Sequence, residues 1–165
     1  MAWRYYNRNP KDLHEEDCVC RAISTALGLD YHVAGNLIQL AADAQGCEPL
    51  CVCCYHRLLE GVFELEPVYC DFRETVGELA ERYPGRKLII RVEGHLTCAL
   101  YGVVTDIWDC SEEMVDRYWV VERLCKTKCK TDFYILCIFV NTVKFVSYIS
   151  CGFLHKRKYV FYSLF

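Results

Sequence analysis

The chain is 165 residues long, 53% hydrophobic and 25% charged, with a formal charge of -3 and 13 cysteines. That length suits one domain with room for a real core. The slight acidity, and the lack of a basic, Ser-rich or Gly-rich tract before residue 120, argue against a nucleic-acid partner. The odd number of cysteines, and first residues (Met1 to Asn7) without an apolar signal segment, lead us to expect a reducing, cytoplasmic setting in which most thiols fill the core.

Residues 1–16 are polar and aromatic, with turn signals at Asn9-Pro10 and Lys11-Asp12, and read as an irregular lead-in. Asp17 is a good N-cap for a helix over Cys18 to Leu27, where Ala22, Ile23, Ala26 and Leu27 recur at helical spacing until Gly28. Asp30 caps a second helix whose apolar face is Val33, Leu37, Ile38, Ala41 and Ala42, with Gly46 as the stop, and the two helices pack as a hairpin. Cys51 to Leu59 is compatible with a third helix ending near Gly61. Thr75 and Glu78 form a capping-box pair that opens a short helix stopped by Pro84-Gly85.

Three strands follow. Lys87 to Val92 is broken by Glu93-Gly94, His95 to Leu100 ends at a tight turn at Tyr101-Gly102, and Val103 to Trp108 returns. Helices before an antiparallel sheet predict an α+β domain over residues 1–120. Residues 121–165 form a hydrophobic, Lys-flanked tail, with Phe133 to Leu154 lying between Lys126, Lys128, Lys130 and Lys156-Arg157-Lys158. It reads either as a membrane segment through residues 133–154 or as two hydrophobic strands or a tail without selected structure. Lys144 near its middle is costly in a bilayer, and basic flanks on both sides set no orientation. Nothing in the sequence sets an oligomeric state.

A thiol at the first turn of a helix sits where free backbone N–H groups favour its thiolate, which is how a nucleophile is prepared. Cys18 holds that place, next to Asp17. Its alternative is an ordinary buried cysteine. Cys20 is rotated by about 200° along the helix, so only one of the two can face a cleft, and Cys18 is nearer the terminus. A nucleophile needs a base and a group to orient that base. His95, at a strand start after a glycine, supplies the first, against the alternative of a surface histidine. In a hairpin with Leu100 opposite Val103, residue 97 faces 106, so His95 and Asp106 are diagonal neighbours on one face, whereas Asp109 lies on the other.

These residues carry a resemblance. Cys18 opening a helix, His95 opening a later strand and Asp106-Ile107-Trp108 look like the Cys, His and Asn-Ser-Trp elements of papain-like cysteine peptidases, in that chain order. Asp17-Cys18-Val19-Cys20-Arg21-Ala22, Gly94-His95 and Asp106-Ile107-Trp108-Asp109 are closer still to the pattern of small papain-like proteins found mainly in bacteriophages and bacteria, for which the setting is the host cytoplasm. The resemblance covers about residues 5–120. It implies a papain-like fold and a thiol hydrolase, a cysteine peptidase or amidase, acting on a peptide or protein substrate with no cofactor. Cys18 would be nucleophile, His95 base and acid, Asp106 the orienting group and Trp108 an apolar shield, with Asp109 in support. Papain-like enzymes carry a Gln six residues before the cysteine, where this chain has Asp12, which cannot donate when ionised. Asn9 or Asn7 is then the candidate oxyanion donor, with the Cys18 N–H. Arg21 would pair with Asp17 or an acid of the second helix.

Two other readings stand beside this one. The fold could serve as a non-catalytic module that binds a host factor. Alternatively, Cys47, Cys51, Cys54 and His56 have spacings that could hold zinc, although no second CxxC or HxxxH pair completes the motif.

Overall fold

A computed structural model of the chain describes residues 2–121. The tail considered above, including residues 133–154, lies outside them. No helix among the described residues is long and apolar enough to cross a membrane.

The architecture is α+β, with a six-stranded sheet between two layers. In chain order the strands are β1 (Ala2–Tyr5), β2 (Pro67–Tyr69), β3 (Lys87–Val92), β4 (His95–Leu100), β5 (Val103–Asp106) and β6 (Arg117–Val121). The helices are α1 (Cys18–Leu27), α2 (Tyr31–Gln45), α3 (Val52–His56), which continues as π-helix over Arg57–Val62, and α4 (Val76–Arg82). The sheet order is β1-β5-β4-β3-β6-β2.

Strand alternation builds the two cores. Ile89, Leu96, Cys98 and Trp119 turn to one face and are covered by Val19, Ile23 and Ala26 of α1, with α2 and Leu58 and Leu59 behind them. Leu88, Ile90, Val92, Ala99 and Val104 turn to the other, where Val76, Leu79 and Ala80 of α4 close over them. Each fully buried Leu or Ile stabilises the fold by about 1.5–3 kcal/mol relative to exposure. The helix ends follow local chemistry. The Asp30 carboxylate accepts from the His32 and Val33 N–H groups, Gly28 and Gly46 end α1 and α2 in the left-handed region, and Thr75 and Glu78 close a reciprocal capping box.

The structure corrects the sequence reading at four places. The lead-in is not wholly irregular, because β1 pairs with β5, and it does so in parallel (Tyr5 beside Asp106), so the sheet is mixed rather than antiparallel. β5 ends at Asp106, two residues before Trp108. β6 and the three-residue β2 extend the sheet on its other side, with Trp119 beside Ile89. Asp17 does not cap α1: its φ of -122° and ψ of 21° are not those of an extended cap, and its side chain makes no capping bond.

Candidate active site

Three elements converge at one end of the sheet. α1 begins with Cys18, β4 begins with His95, and β5 ends with Asp106. The Glu93-Gly94 turn, with Gly94 at φ 68°, pairs Val92 with His95 and so sets the imidazole at the very start of its strand. The second hairpin turns at Tyr101 (φ 55°) and Gly102 (φ 87°), and Leu100 pairs with Val103. That register carries β5 back until Asp106 lies diagonally beside His95.

His95 Nε2 donates to Asp106 Oδ2 at 2.8 Å. On its other side the His95 ring faces Cys18, whose thiol it lowers by hydrogen bonding and charge. Trp108 lies over the pair, its ring centroid 5.3 Å from that of the imidazole and its indole Nε1 3.2 Å from Nε2. Cys18 and His95 open onto a cleft of about 160 Å³ walled by Leu50, Val52, Tyr55 and Arg91.

The neighbours of each group favour its charged form. Burial opposes a thiolate at Cys18, but the hydrogen bond and charge of His95 and the backbone N–H groups of Leu96 and Val19 outweigh it, so the thiol falls below its ordinary 9.0. Burial likewise opposes the imidazolium, yet hydrogen bonds and charge from Asp106 and Cys18 hold His95 up at about 9. Asp106 is held below the usual carboxylate range: burial alone would raise it, and hydrogen bonds from His95, Thr97 and the Ile107 N–H, together with the His95 charge, reverse the sign.

The supporting shell was only partly anticipated. Arg21 ion-pairs with Asp17 and also reaches Asp106, its Nη2 lying 3.8 Å from Oδ1. Thr97 bonds Asp106 and is itself approached by the Cys110 thiol at 3.4 Å. The hairpin register already sets residue 97 opposite Asp106, but nothing in the local pattern marks its hydroxyl as a donor to that carboxylate. Cys20 faces away, donating to the Tyr31 carbonyl at 3.2 Å, and burial raises it to about 11.

Asn9 is not an oxyanion donor. Its amide is turned to Asp17 Oδ2 (3.1 Å) and the Tyr31 hydroxyl (3.3 Å), while Asn7 donates to the Leu13 carbonyl. Both fasten the lead-in, and among the described residues no Asn or Gln lines the cleft. The Asp109 carboxylate is engaged elsewhere: it accepts from the N–H and hydroxyl of Ser111 and shapes the following loop. His56 stands apart from the cysteines of the zinc reading. It lies edge-on to Trp119 and 3.3 Å from Arg117, and burial, then Arg117 and Arg91, depress it to about 4.

Comparison with protein-family models, with curated protein sequences and with solved structures finds no match.

Proposed function

We propose that the chain is a thiol-dependent hydrolase of amide or peptide bonds, with a papain-like site and a peptide or protein as substrate. The observation that carries this reading is the hydrogen-bonded series from Asp106 through His95 to Cys18, ending at a sulfur on the first residue of α1 beside an open cleft. In the first half-reaction the Cys18 thiolate attacks the carbonyl carbon and the S–C bond forms. The His95 imidazolium then gives its proton to the leaving nitrogen as the C–N bond breaks. In the second, neutral His95 takes a proton from water, the hydroxide attacks the thioester, and the acid leaves as the S–C bond breaks. Asp106 holds the ring in the orientation that serves both transfers, and Trp108 shields the pair from water.

For the oxyanion, support comes from the main chain. The Asp17 side chain does not cap α1, so the N–H groups of its first turn are not taken up by that carboxylate. Among the described residues the cleft lining holds no Asn or Gln, which favours a second reading, a papain-like module that binds without turnover.

Alkylation separates the two. An iodoacetamide-type probe near pH 6, followed by peptide mapping, should modify Cys18 ahead of Cys20 and Cys98, which burial raises, and His95→Ala should abolish that preference. Equal modification of all three, or a Cys18 rate indifferent to His95→Ala, removes the hydrolase reading.

A further inference from the structure

A second cluster of thiols stands at the rim of the cleft, unused by the chemistry above. Gly46, at φ 65°, ends α2 and turns the chain so that Cys47 faces the start of α3. Within that short turn the Cys53 sulfur lies 2.9 Å from Cys51, 3.0 Å from Cys47 and 3.9 Å from Cys54, and the Cys47 and Cys54 sulfurs are in direct contact. Backbone bonds fix the loop: the Cys51 N–H donates to Glu48, and the Cys54 N–H donates to Cys51.

We infer that Cys47, Cys51, Cys53 and Cys54 form a tetrathiolate site for a soft divalent cation, zinc above all. Two observations favour a metal over a simple disulfide. A disulfide uses two sulfurs and would leave Cys51 and Cys53 packed against it without a role. The Cα atoms of Cys47 and Cys54 are also 7.2 Å apart, beyond the span of about 4.4–6.8 Å that disulfides usually bridge. Zinc–sulfur bonds of about 2.3 Å place tetrahedral sulfurs about 3.8 Å apart. The Cys47, Cys51 and Cys53 sulfurs already lie within 4.8 Å of one another and Cys54 lies 3.9 Å from Cys53, so small side-chain shifts arrange the four around an ion. Binding converts up to four thiols to thiolates and releases their protons, with no change of oxidation state. Cys53 is exposed and offers the entry path. The ion would clip the end of α2 to the start of α3 and hold Leu50 and Val52, two walls of the cleft, in place.

The test uses the full chain, purified with a phosphine reductant and loaded with zinc, then with cobalt(II). We expect about one equivalent of zinc, and the strong visible bands of thiolate-bound tetrahedral cobalt, both lost in Cys51→Ser/Cys53→Ser. In the unaltered chain, zinc should protect Cys51 and Cys53 from alkylation, and a chelator should expose them. Four outcomes overturn the site: under about a tenth of an equivalent of zinc, metal that survives the double substitution and therefore sits elsewhere in the chain, alkylation of Cys51 and Cys53 indifferent to zinc, or a Cys47–Cys54 disulfide that persists under reductant. None of these readouts depends on Cys18 or on turnover.

Discussion

The residue that decides how well His95 is held is Asp106, and Asp106 in turn depends on small polar neighbours. Its Oδ1 accepts from the Ile107 N–H at 2.7 Å, and Thr97, fully buried, adds a hydroxyl donor. A hydrogen bond to a charged group contributes about 1.5–3 kcal/mol, and about 1.4 kcal/mol is tenfold in rate. Thr97→Val keeps the shape and deletes the donor. Under the hydrolase reading it should lower kcat/KM about tenfold and move the acid limb of the rate–pH profile upward, because a less stabilised Asp106 takes a proton more readily. Thr97→Ser should restore both. A loss of stability with an unmoved pH profile would make Thr97 a packing residue only. Turnover should also fall as pH rises through about 9, where His95 loses the proton it donates to the leaving group.

At the scale of elements, α1 is tied to the sheet by Arg21 as well as by its apolar face. The buried guanidinium bridges Asp17, just before the helix, and Asp106, at the end of β5, and its Nη1 donates to the Glu15 carbonyl at 3.2 Å. Breaking a buried pair leaves an uncompensated charge, so Arg21→Met should destabilise the fold by about 3–5 kcal/mol in urea unfolding. Adding Asp17→Asn should recover part of the loss, because the two residues share one interaction. This strut also explains where sequence reasoning stopped. The span of α1, the capped start of α2, the Thr75 capping box and the Leu100–Val103 register were legible because each depends on local spacing or turn chemistry. Asp17 reads as a cap for the same local reason, yet its carboxylate is drawn away by Arg21 four residues on and, from farther along the chain, by the Tyr31 hydroxyl at 2.7 Å. β1 escaped notice because all four of its residues are exposed and give no alternation. Asn9 misled because composition gives the donor but not its direction, and a buried amide turns to the nearest strong acceptors.

For the molecule as a whole, the site lies at the end of a sheet whose two faces belong to different cores, so its ionisation is part of the folding equilibrium. The ordinary values of His95 and Cys18 are 6.5 and 9.0. Between them the unfolded chain keeps one proton on the pair, on sulfur. The folded chain holds the imidazole proton up to about 9, and its lowered thiol gives up a proton sooner than the thiol of the unfolded chain does. The two shifts act in opposite senses as pH rises, the raised imidazole losing stability and the lowered thiol adding it, so the unaltered protein should lose less than a chain that has the imidazole alone. Cys18→Ala removes the sulfur and leaves His95 raised by Asp106 alone. A raised imidazole stabilises fully below 6.5, and that contribution is lost as pH rises through its folded value, with a slope of at most about 1.4 kcal/mol per pH unit. Asp106, being lowered, acts in the opposite sense in both proteins: its contribution is present above 3.8 and is lost as pH falls through its folded value. Urea unfolding from pH 6 to 9.5 should thus show Cys18→Ala losing stability against the unaltered chain as pH rises. Parallel curves across that range would mean that Cys18 holds its proton as tightly folded as unfolded, and the stabilised thiolate on which the proposed chemistry depends would be gone.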